Sequence, residues 1–113
     1  MKRILLIATG GTIASRPTAA GALAPALTSA ELLACVPELA DVCRIDAVQL
    51  YNLDSTSIGP AQWAGIAAAV RRHYDEYDGF VVTHGTDTMA YTAAALSYMI
   101  QRSAKPVVLT GSQ

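Results

Sequence analysis

Apolar residues occur in four short groups along the chain, and their spacing is typical of strands. Residues 4–8 form a continuous apolar run that ends at a glycine turn, the pattern of a parallel strand buried on both faces. Residues 80–83 and 107–110 are two further runs of this kind, and residues 43–50 alternate between polar and apolar positions. We therefore predict four strands.

Helical periodicity separates the second, third and fourth strands. One helix is predicted to begin near Pro60, because proline suits a first helical turn. Its apolar positions recur at spacings of three and four, at Trp63, Ile66, Ala67, Val70 and Tyr74. The next helix shows the same spacing at Met89, Ala93, Leu96 and Ile100. This alternation predicts an α/β fold with an open, mostly parallel sheet and helices on both faces.

The segment between the first and second strands does not show this regular alternation, and the alternation stops after the fourth strand. Residues 9–27 are rich in Gly, Pro, Thr and Ala without periodicity, so we predict a long loop of the kind that often forms a functional lid. Residues 28–31 have a capping-box pattern, which predicts a short helix ending at Pro37. A doubly wound fold would continue with another helix after the last strand. The sequence is therefore expected to be truncated at residue 113.

The composition narrows the classes of function. With 52% hydrophobic and 15% charged residues, the 113-residue chain is expected to fold around a packed core. A net charge of −1 offers no basic surface for nucleic acid and no polybasic patch for a membrane. The first apolar run is too short for a secretory core, and no segment approaches the ~18 apolar residues of a membrane span. We expect a cytoplasmic protein with a small-molecule partner.

No cofactor is expected from the sequence. Cys35 and Cys43 do not have the spacing of a zinc or redox motif, and both are predicted to be buried thiols. No cluster of His, Asp and Glu has metal-ligand spacing. The sequence also lacks a third glycine at the dinucleotide spacing and a Gly-Lys-Ser/Thr motif for phosphates.

Polar, glycine-rich segments follow all four predicted strands. They cover residues 9–12, 52–56, 84–88 and 111–113. Ligands of open parallel sheets bind beyond the carboxyl ends of the strands, so these segments are predicted to meet at one edge. That edge is the candidate site.

The first two segments also have structural interpretations. Thr12 follows two glycines that allow a sharp turn, and it could present a hydroxyl and a backbone N–H to a ligand or cap a helix. The segment Asp54-Ser55-Thr56 could bind a carboxylate through its hydroxyls and N–H groups, or it could form a local turn. Both interpretations remain open on these residues alone.

The third segment is equally ambiguous. Asp87 could pair with a cationic group, with Thr86 as a second hydroxyl in the cavity, or it could cap the helix that follows. His84 fits backbone hydrogen bonding at least as well as general-base catalysis, and we favour the structural role.

Two of these segments carry motifs that resemble a known family. Residues 9–15, Thr-Gly-Gly-Thr-Ile-Ala-Ser, resemble the first signature of bacterial-type L-asparaginases, and residues 84–89, His-Gly-Thr-Asp-Thr-Met, resemble the second. The likeness extends over essentially the whole chain, and the missing signal peptide is similar to the cytoplasmic, type I branch. Residues 1–113 would then be the N-terminal part of the asparaginase catalytic domain, without its remainder and the smaller C-terminal domain.

The resemblance implies a reaction in which Thr12 is the nucleophile. Thr12 would attack the side-chain amide carbon of L-asparagine, release ammonia and leave an aspartyl ester that water hydrolyses. Thr86 and Asp87 match the family's second threonine and its aspartate. Thr86 would position or activate the attacking group, and Asp87 would bind the α-ammonium of the substrate.

The resemblance also assigns the residues that bind the substrate. Asp54 and Ser55 match the family's substrate-binding loop, with Ser55 the better candidate for the α-carboxylate. The backbone around Gly11, Gly85 and Ser112 is implied to supply oxyanion donors, each worth about 3–4 kcal/mol in a well-studied protease. L-Glutamine differs by one methylene, worth about 1–3 kcal/mol of discrimination, so both amino acids remain candidate substrates. Family members resemble homodimers or homotetramers.

The sequence departs from the family pattern in two ways. Residues 21–25 lack the tyrosine that the family commonly places in the loop after the first motif, and Tyr51 is the nearest other phenol. The family's catalytic lysine would lie beyond residue 113. The 113 residues alone are therefore expected to be inactive.

Three other functions compete with asparagine hydrolysis. The ammonia-producing subunit of a tRNA-dependent amidotransferase would normally carry an extra N-terminal domain, whereas the first strand here is expected to begin at residue 3. A non-catalytic amino-acid sensor would fit the missing loop tyrosine, but retention of Thr12, Thr86 and Asp87 argues against it. A nucleotide-binding Rossmann domain would need a phosphate fingerprint that the sequence lacks.

Overall fold

The computed structural model describes residues 1–10, 16–17, 23–24 and 33–111, and it contains a four-stranded parallel sheet. In chain order, the strands of the described residues are β1 (Lys2–Ala8), β2 (Arg16–Pro17), β3 (Leu23–Ala24), β4 (Cys43–Gln49), β5 (Gly79–Thr83) and β6 (Val107–Thr110). The sheet has the order β4-β1-β5-β6. Its members are the four predicted strands, so the α/β fold with a parallel sheet is confirmed.

The two shortest strands form a separate antiparallel pair. β2 and β3 pair only with each other, within the segment predicted to be a loop without secondary structure. Two-residue strands are too short to produce a periodic pattern, so hydrophobic periodicity could not reveal them. The predicted helix start at residues 28–31 lies outside the described residues, but residues 33–35 are helical and Pro37 follows them.

Besides the helical residues 33–35, the described helices are α1 (Leu39–Val42), α2 (Pro60–His73) and α3 (Met89–Met99), with a 3₁₀ turn at Ser55–Ser57. α2 begins at Pro60, as predicted, and Gln62 Oε1 accepts the Gly59 N–H at 2.9 Å, which anchors its first turn. α1 was not predicted, because a single turn carries no helical periodicity.

The apolar core lies between the sheet and α2. In register, Leu5 pairs with Phe80, and Ile7 pairs with Val82. These four residues pack in one buried cluster with the inner face of α2, which contributes Ile66, Ala67 and Val70. α2 also contacts α3, so the two long helices lie on the same face of the sheet. The apolar spacing predicted for α2 therefore identified its buried face.

Two expectations about burial are wrong. Cys43 is buried, but Cys35 is exposed, because it lies at the end of a helical turn that runs into the exposed residues 36–38. On α3, the buried residues are Thr92 and Leu96, whereas Ala93 is exposed and lines an open groove beside β6. Leu96 is buried and Met89 and Ile100 are half-buried, as predicted, so the inner face of α3 differs from the predicted face in that Thr92 takes the place of Ala93.

Within the described ranges, no helix is both long and apolar enough to cross a membrane. The same ranges contain no group of three or more His, Cys, Asp or Glu side chains placed to hold a metal ion.

Candidate functional site

The four strands of the main sheet end in register at one edge. Ala8 of β1 pairs with Gln49 of β4 and with Thr83 of β5, and Thr83 pairs with Thr110 of β6. The polar segments that follow these strands therefore start side by side. This arrangement agrees with the predicted convergence of the four segments, as far as the described residues extend.

The segment after β1 is fixed against the segment after β4. Thr9 is buried, and its hydroxyl donates to the Thr83 carbonyl at 2.6 Å, while the Leu53 N–H donates to the Thr9 carbonyl at 3.0 Å. Gly10 has a φ of 123°, and a Cβ there would lie 2.6 Å from the Leu53 nitrogen. Only glycine fits this conformation and contact. Gly10 therefore sets the direction in which the chain leaves β1, one residue before Gly11.

The segment after β4 touches the segment after β5. Ser55 is buried, and a Cβ on Gly85 would lie 2.9 Å from the Ser55 Cβ. The Thr88 hydroxyl donates to the Ser55 carbonyl at 2.6 Å. Asp54 is exposed at the N-cap of the 3₁₀ turn, and its side chain makes no capping hydrogen bond. The turn at Ser55 is thus held by Gly85 and Thr88, and the Asp54 carboxylate faces solvent.

The second motif continues into α3. Thr86 is half-buried and Asp87 is exposed. The N-cap of α3 is Thr88 and no side-chain hydrogen bond caps the helix, so the interpretation of Asp87 as a helix cap is wrong. A Cβ on Gly111 would overlap the carbonyl oxygen of His84 and lie 3.2 Å from the Thr86 methyl carbon. Gly111 thus brings the segment after β6 against the segment after β5.

His84 lies at the centre of a buried hydrogen-bond network. It has no exposed surface, and its Nδ1 lies 2.6 Å from the Gly85 carbonyl oxygen. Its Nε2 lies 2.8 Å from the Thr92 hydroxyl, which also accepts the Trp63 indole N–H at 2.9 Å. This geometry agrees with the backbone-bonding role favoured for His84. The roles of Thr92 and Trp63 were missed, because a pattern of apolar residues does not reveal a buried hydroxyl or its indole partner.

We expect Thr92→Val to lower the free energy of unfolding by about 2–4 kcal/mol, because it leaves the Trp63 indole and the His84 ring without a buried partner. Thr92→Ser keeps the hydroxyl and loses one methyl group, so its cost should be about 1 kcal/mol. Urea unfolding of both variants measures the difference. If the two variants are equally stable, the Thr92 hydroxyl does not stabilise the fold.

Several predicted site residues lie outside the described residues. They are Gly11, Thr12 and Ser112, and their roles remain predictions. Tyr51 is described, and a Cβ on Gly65 of α2 would overlap its hydroxyl oxygen. The Tyr51 phenol therefore packs against α2, which does not favour it as a substitute for the missing loop tyrosine.

Comparison with known proteins gives one family over nearly the whole chain. A family model described as asparaginase, N-terminal, matches residues 3–113. An L-asparaginase from Thermococcus kodakarensis is 49% identical over 111 residues, which cover 97% of this chain and 34% of that protein. Its solved structure superposes with a TM-score of 0.81 over 97% of this chain and 34% of that one, at 48% identity.

Two other similar proteins are an amidotransferase subunit and a second asparaginase. A subunit of the glutamyl-tRNA(Gln) amidotransferase of Metallosphaera sedula is 48% identical over 113 residues, which cover 98% of this chain and 26% of that protein. A structure named probable cytoplasmic L-asparaginase, from Campylobacter jejuni, has a TM-score of 0.82 at 37% identity and covers 98% of this chain and 35% of that one. The chain thus spans about a quarter to a third of the length of these relatives.

Proposed function

This chain belongs to the asparaginase family, and from that premise we propose that it carries the nucleophile of an amidohydrolase that converts L-asparagine and water to L-aspartate and ammonia. The observation that carries the proposal is the meeting of three segments at the carboxyl edge of the sheet. Gly10, Ser55 and the motif at residues 84–88 all lie there, and each is held by contacts with the next segment. We assign residues 1–113 to the N-terminal part of the catalytic domain.

In the proposed reaction, the Thr12 hydroxyl oxygen attacks the side-chain amide carbon of the substrate. The carbon–nitrogen bond breaks, the nitrogen leaves as ammonia after taking up a proton, and an aspartyl ester on Thr12 remains. Water then attacks the ester, which releases aspartate and restores the hydroxyl. The turn at Gly10, packed against the Leu53 backbone two residues before Thr12, supports this role because a nucleophile must be held in a near-attack geometry.

The proposed substrate contacts use both neighbouring segments. Asp87 is exposed and not committed to capping α3, so its carboxylate is available to pair with the α-ammonium. Ser55 would bind the α-carboxylate through its hydroxyl and backbone N–H, and Asp54 belongs to the same substrate-binding loop. The Thr86 hydroxyl would help to activate the attacking group or water. Backbone N–H groups around Gly11, Gly85 and Ser112 would stabilise the oxyanion.

A second function is favoured by the relatives themselves. The glutamyl-tRNA(Gln) amidotransferase relative matches this chain about as well as the L-asparaginase does, at 48% and 49% identity. In that case the same Thr12 chemistry would release ammonia for a reaction on a tRNA-bound substrate. The two proposed functions use the same catalytic residues, and they differ only in how the released ammonia is used.

Ammonia release by the full-length protein separates these functions. A free-standing hydrolase is expected to release ammonia from L-asparagine or L-glutamine alone, with turnover unchanged by glutamyl-tRNA(Gln). A component of an amidotransferase is expected to need its partner proteins and the charged tRNA for efficient turnover. No release from either amino acid under either condition would reject both functions.

The compartment and the assembly are also part of the proposal. The Campylobacter jejuni neighbour is named cytoplasmic, and we propose the same compartment for this protein. We also propose a homodimer or homotetramer, which light scattering of the full-length protein would test. The proposed substrate is a free amino acid, and neither nucleic acid nor a membrane is needed in the asparaginase reaction.

A further inference from the structure

A buried hydrogen bond from His84 fixes the orientation of one peptide unit in the candidate site, the peptide between Gly85 and Thr86. His84 Nδ1 lies 2.6 Å from the Gly85 carbonyl oxygen, and because a carbonyl can only accept, Nδ1 must carry the proton. The Trp63 indole can only donate, so the Thr92 oxygen accepts its N–H. The Thr92 hydroxyl is then free to donate to His84 Nε2 at 2.8 Å. With a neutral ring, every group in the series Trp63, Thr92, His84, Gly85 has a partner.

This series determines where the next amide N–H points. The Gly85–Thr86 peptide is trans, and in a planar trans peptide the C=O and N–H bonds point in opposite directions. Since the Gly85 carbonyl is turned inward to His84, the Thr86 N–H is directed away from the buried ring. That N–H donates no backbone hydrogen bond to any described residue.

The surroundings restrict rotation of the same peptide. Gly85 is packed against Ser55 so closely that a Cβ would lie 2.9 Å from the Ser55 Cβ and 3.1 Å from its hydroxyl oxygen. Gly111 lies against the His84 carbonyl, which belongs to the preceding peptide, and against the Thr86 methyl group. A peptide that lies between two packed residues and whose carbonyl is hydrogen-bonded to a buried ring is a preorganised donor, the kind that stabilises a developing charge without reorienting.

We propose that His84, held by Thr92 and Trp63, is a positioning residue that aims the Thr86 N–H at the oxyanion of the reacting amide. The proposal rests on the hydrolase function proposed above. His84 acts only through the Gly85–Thr86 peptide, because its ring has no exposed surface and cannot touch substrate. Trp63 and Thr92, on two different helices, fix the orientation of the ring.

Two amide substitutions at position 84 separate positioning from packing. In His84→Asn, the amide nitrogen lies near the place of Nδ1 and can still donate to the Gly85 carbonyl. In His84→Gln, the amide lies near the place of Nε2, so the contact with Thr92 survives and the donor to Gly85 is lost. For the full-length protein with L-asparagine, we expect His84→Gln to lower kcat about tenfold with KM within about twofold of the wild type. His84→Asn should recover most of the lost kcat.

A purely structural role would give a different result. Both variants would then be less stable, but kcat per folded molecule would equal that of the wild type, and this outcome would overturn the proposal. A loss confined to KM would also overturn it. If His84→Gln does not fold, Thr92→Val is used instead. This substitution removes the hydrogen bond between residue 92 and the His84 ring, so it should also lower kcat without raising KM.

Crystal structures of the two variants give a readout that does not depend on activity. The Gly85 carbonyl should stay inward in His84→Asn and turn away from position 84 in His84→Gln. If the wild-type protein releases no ammonia, the hydrolase function fails, and the orientation of this peptide still shows whether His84 positions it. An unchanged carbonyl in His84→Gln would reject the positioning role while leaving the hydrolase function intact.

Discussion

Thr12→Ala is expected to lower kcat for L-asparagine hydrolysis by at least about 10⁴-fold in the full-length protein, since removal of a catalytic nucleophile has effects of this size or larger in serine hydrolases. Alanine has no oxygen with which to form the aspartyl ester, so the two-step reaction has no first step. Affinity for L-aspartate should change by only a few-fold, because the α-ammonium and α-carboxylate are assigned to Asp87 and Ser55. Ammonia release and product binding measure the two effects separately.

Thr12→Ser is the matched control, because it keeps the hydroxyl and removes only the methyl group. It should retain measurable turnover, and an intact-mass measurement of quenched protein should detect the ester on serine but not on alanine. More than about one per cent of wild-type activity in Thr12→Ala would reject Thr12 as the nucleophile, given how much hydrolases lose with their nucleophile. An adjacent hydroxyl such as Thr86 would then have to be tested in the same way.

The main sheet could be predicted well because its signals are local. Each of the four strands is a short run of apolar or alternating residues bounded by polar residues, and such runs depend little on distant contacts. Parallel strands with intervening helices also bring their carboxyl ends to one edge. The meeting of the segments at Gly10, Ser55 and Gly85 could therefore be expected from the order of the elements alone.

The features that could not be predicted depend on contacts between distant residues. The inner face of α3 includes Thr92 because its hydroxyl bonds His84 and Trp63, which lie on other elements. An apolar pattern cannot reveal a buried threonine, so Ala93 was wrongly placed on the inner face. Similarly, Gly10 was expected to allow a sharp turn, and its close approach to the backbone of Leu53 depends on a contact with a distant segment.

Asp87→Asn is expected to lower kcat/KM for L-asparagine about 10²-fold, mainly through a higher KM, because charged hydrogen bonds contribute about 1.5–3 kcal/mol. Asparagine has nearly the shape of aspartate but no charge to pair with the α-ammonium. Asp87 is exposed and lies just before the N-cap of α3, so the substitution should leave the stability of the fold nearly unchanged. Steady-state ammonia release and thermal unfolding of the variant test both points.

A substrate that lacks the α-ammonium tests whether Asp87 binds that group. Succinamate has the side-chain amide and the α-carboxylate of asparagine but lacks its amino group, so the wild-type protein should hydrolyse it much more slowly than asparagine. If Asp87 binds the α-ammonium, Asp87→Asn should act on succinamate about as well as the wild type does, since the interaction it removes is already absent. An equal loss on both substrates would instead place Asp87 in the chemical step, and its assignment as the ammonium-binding residue would be wrong.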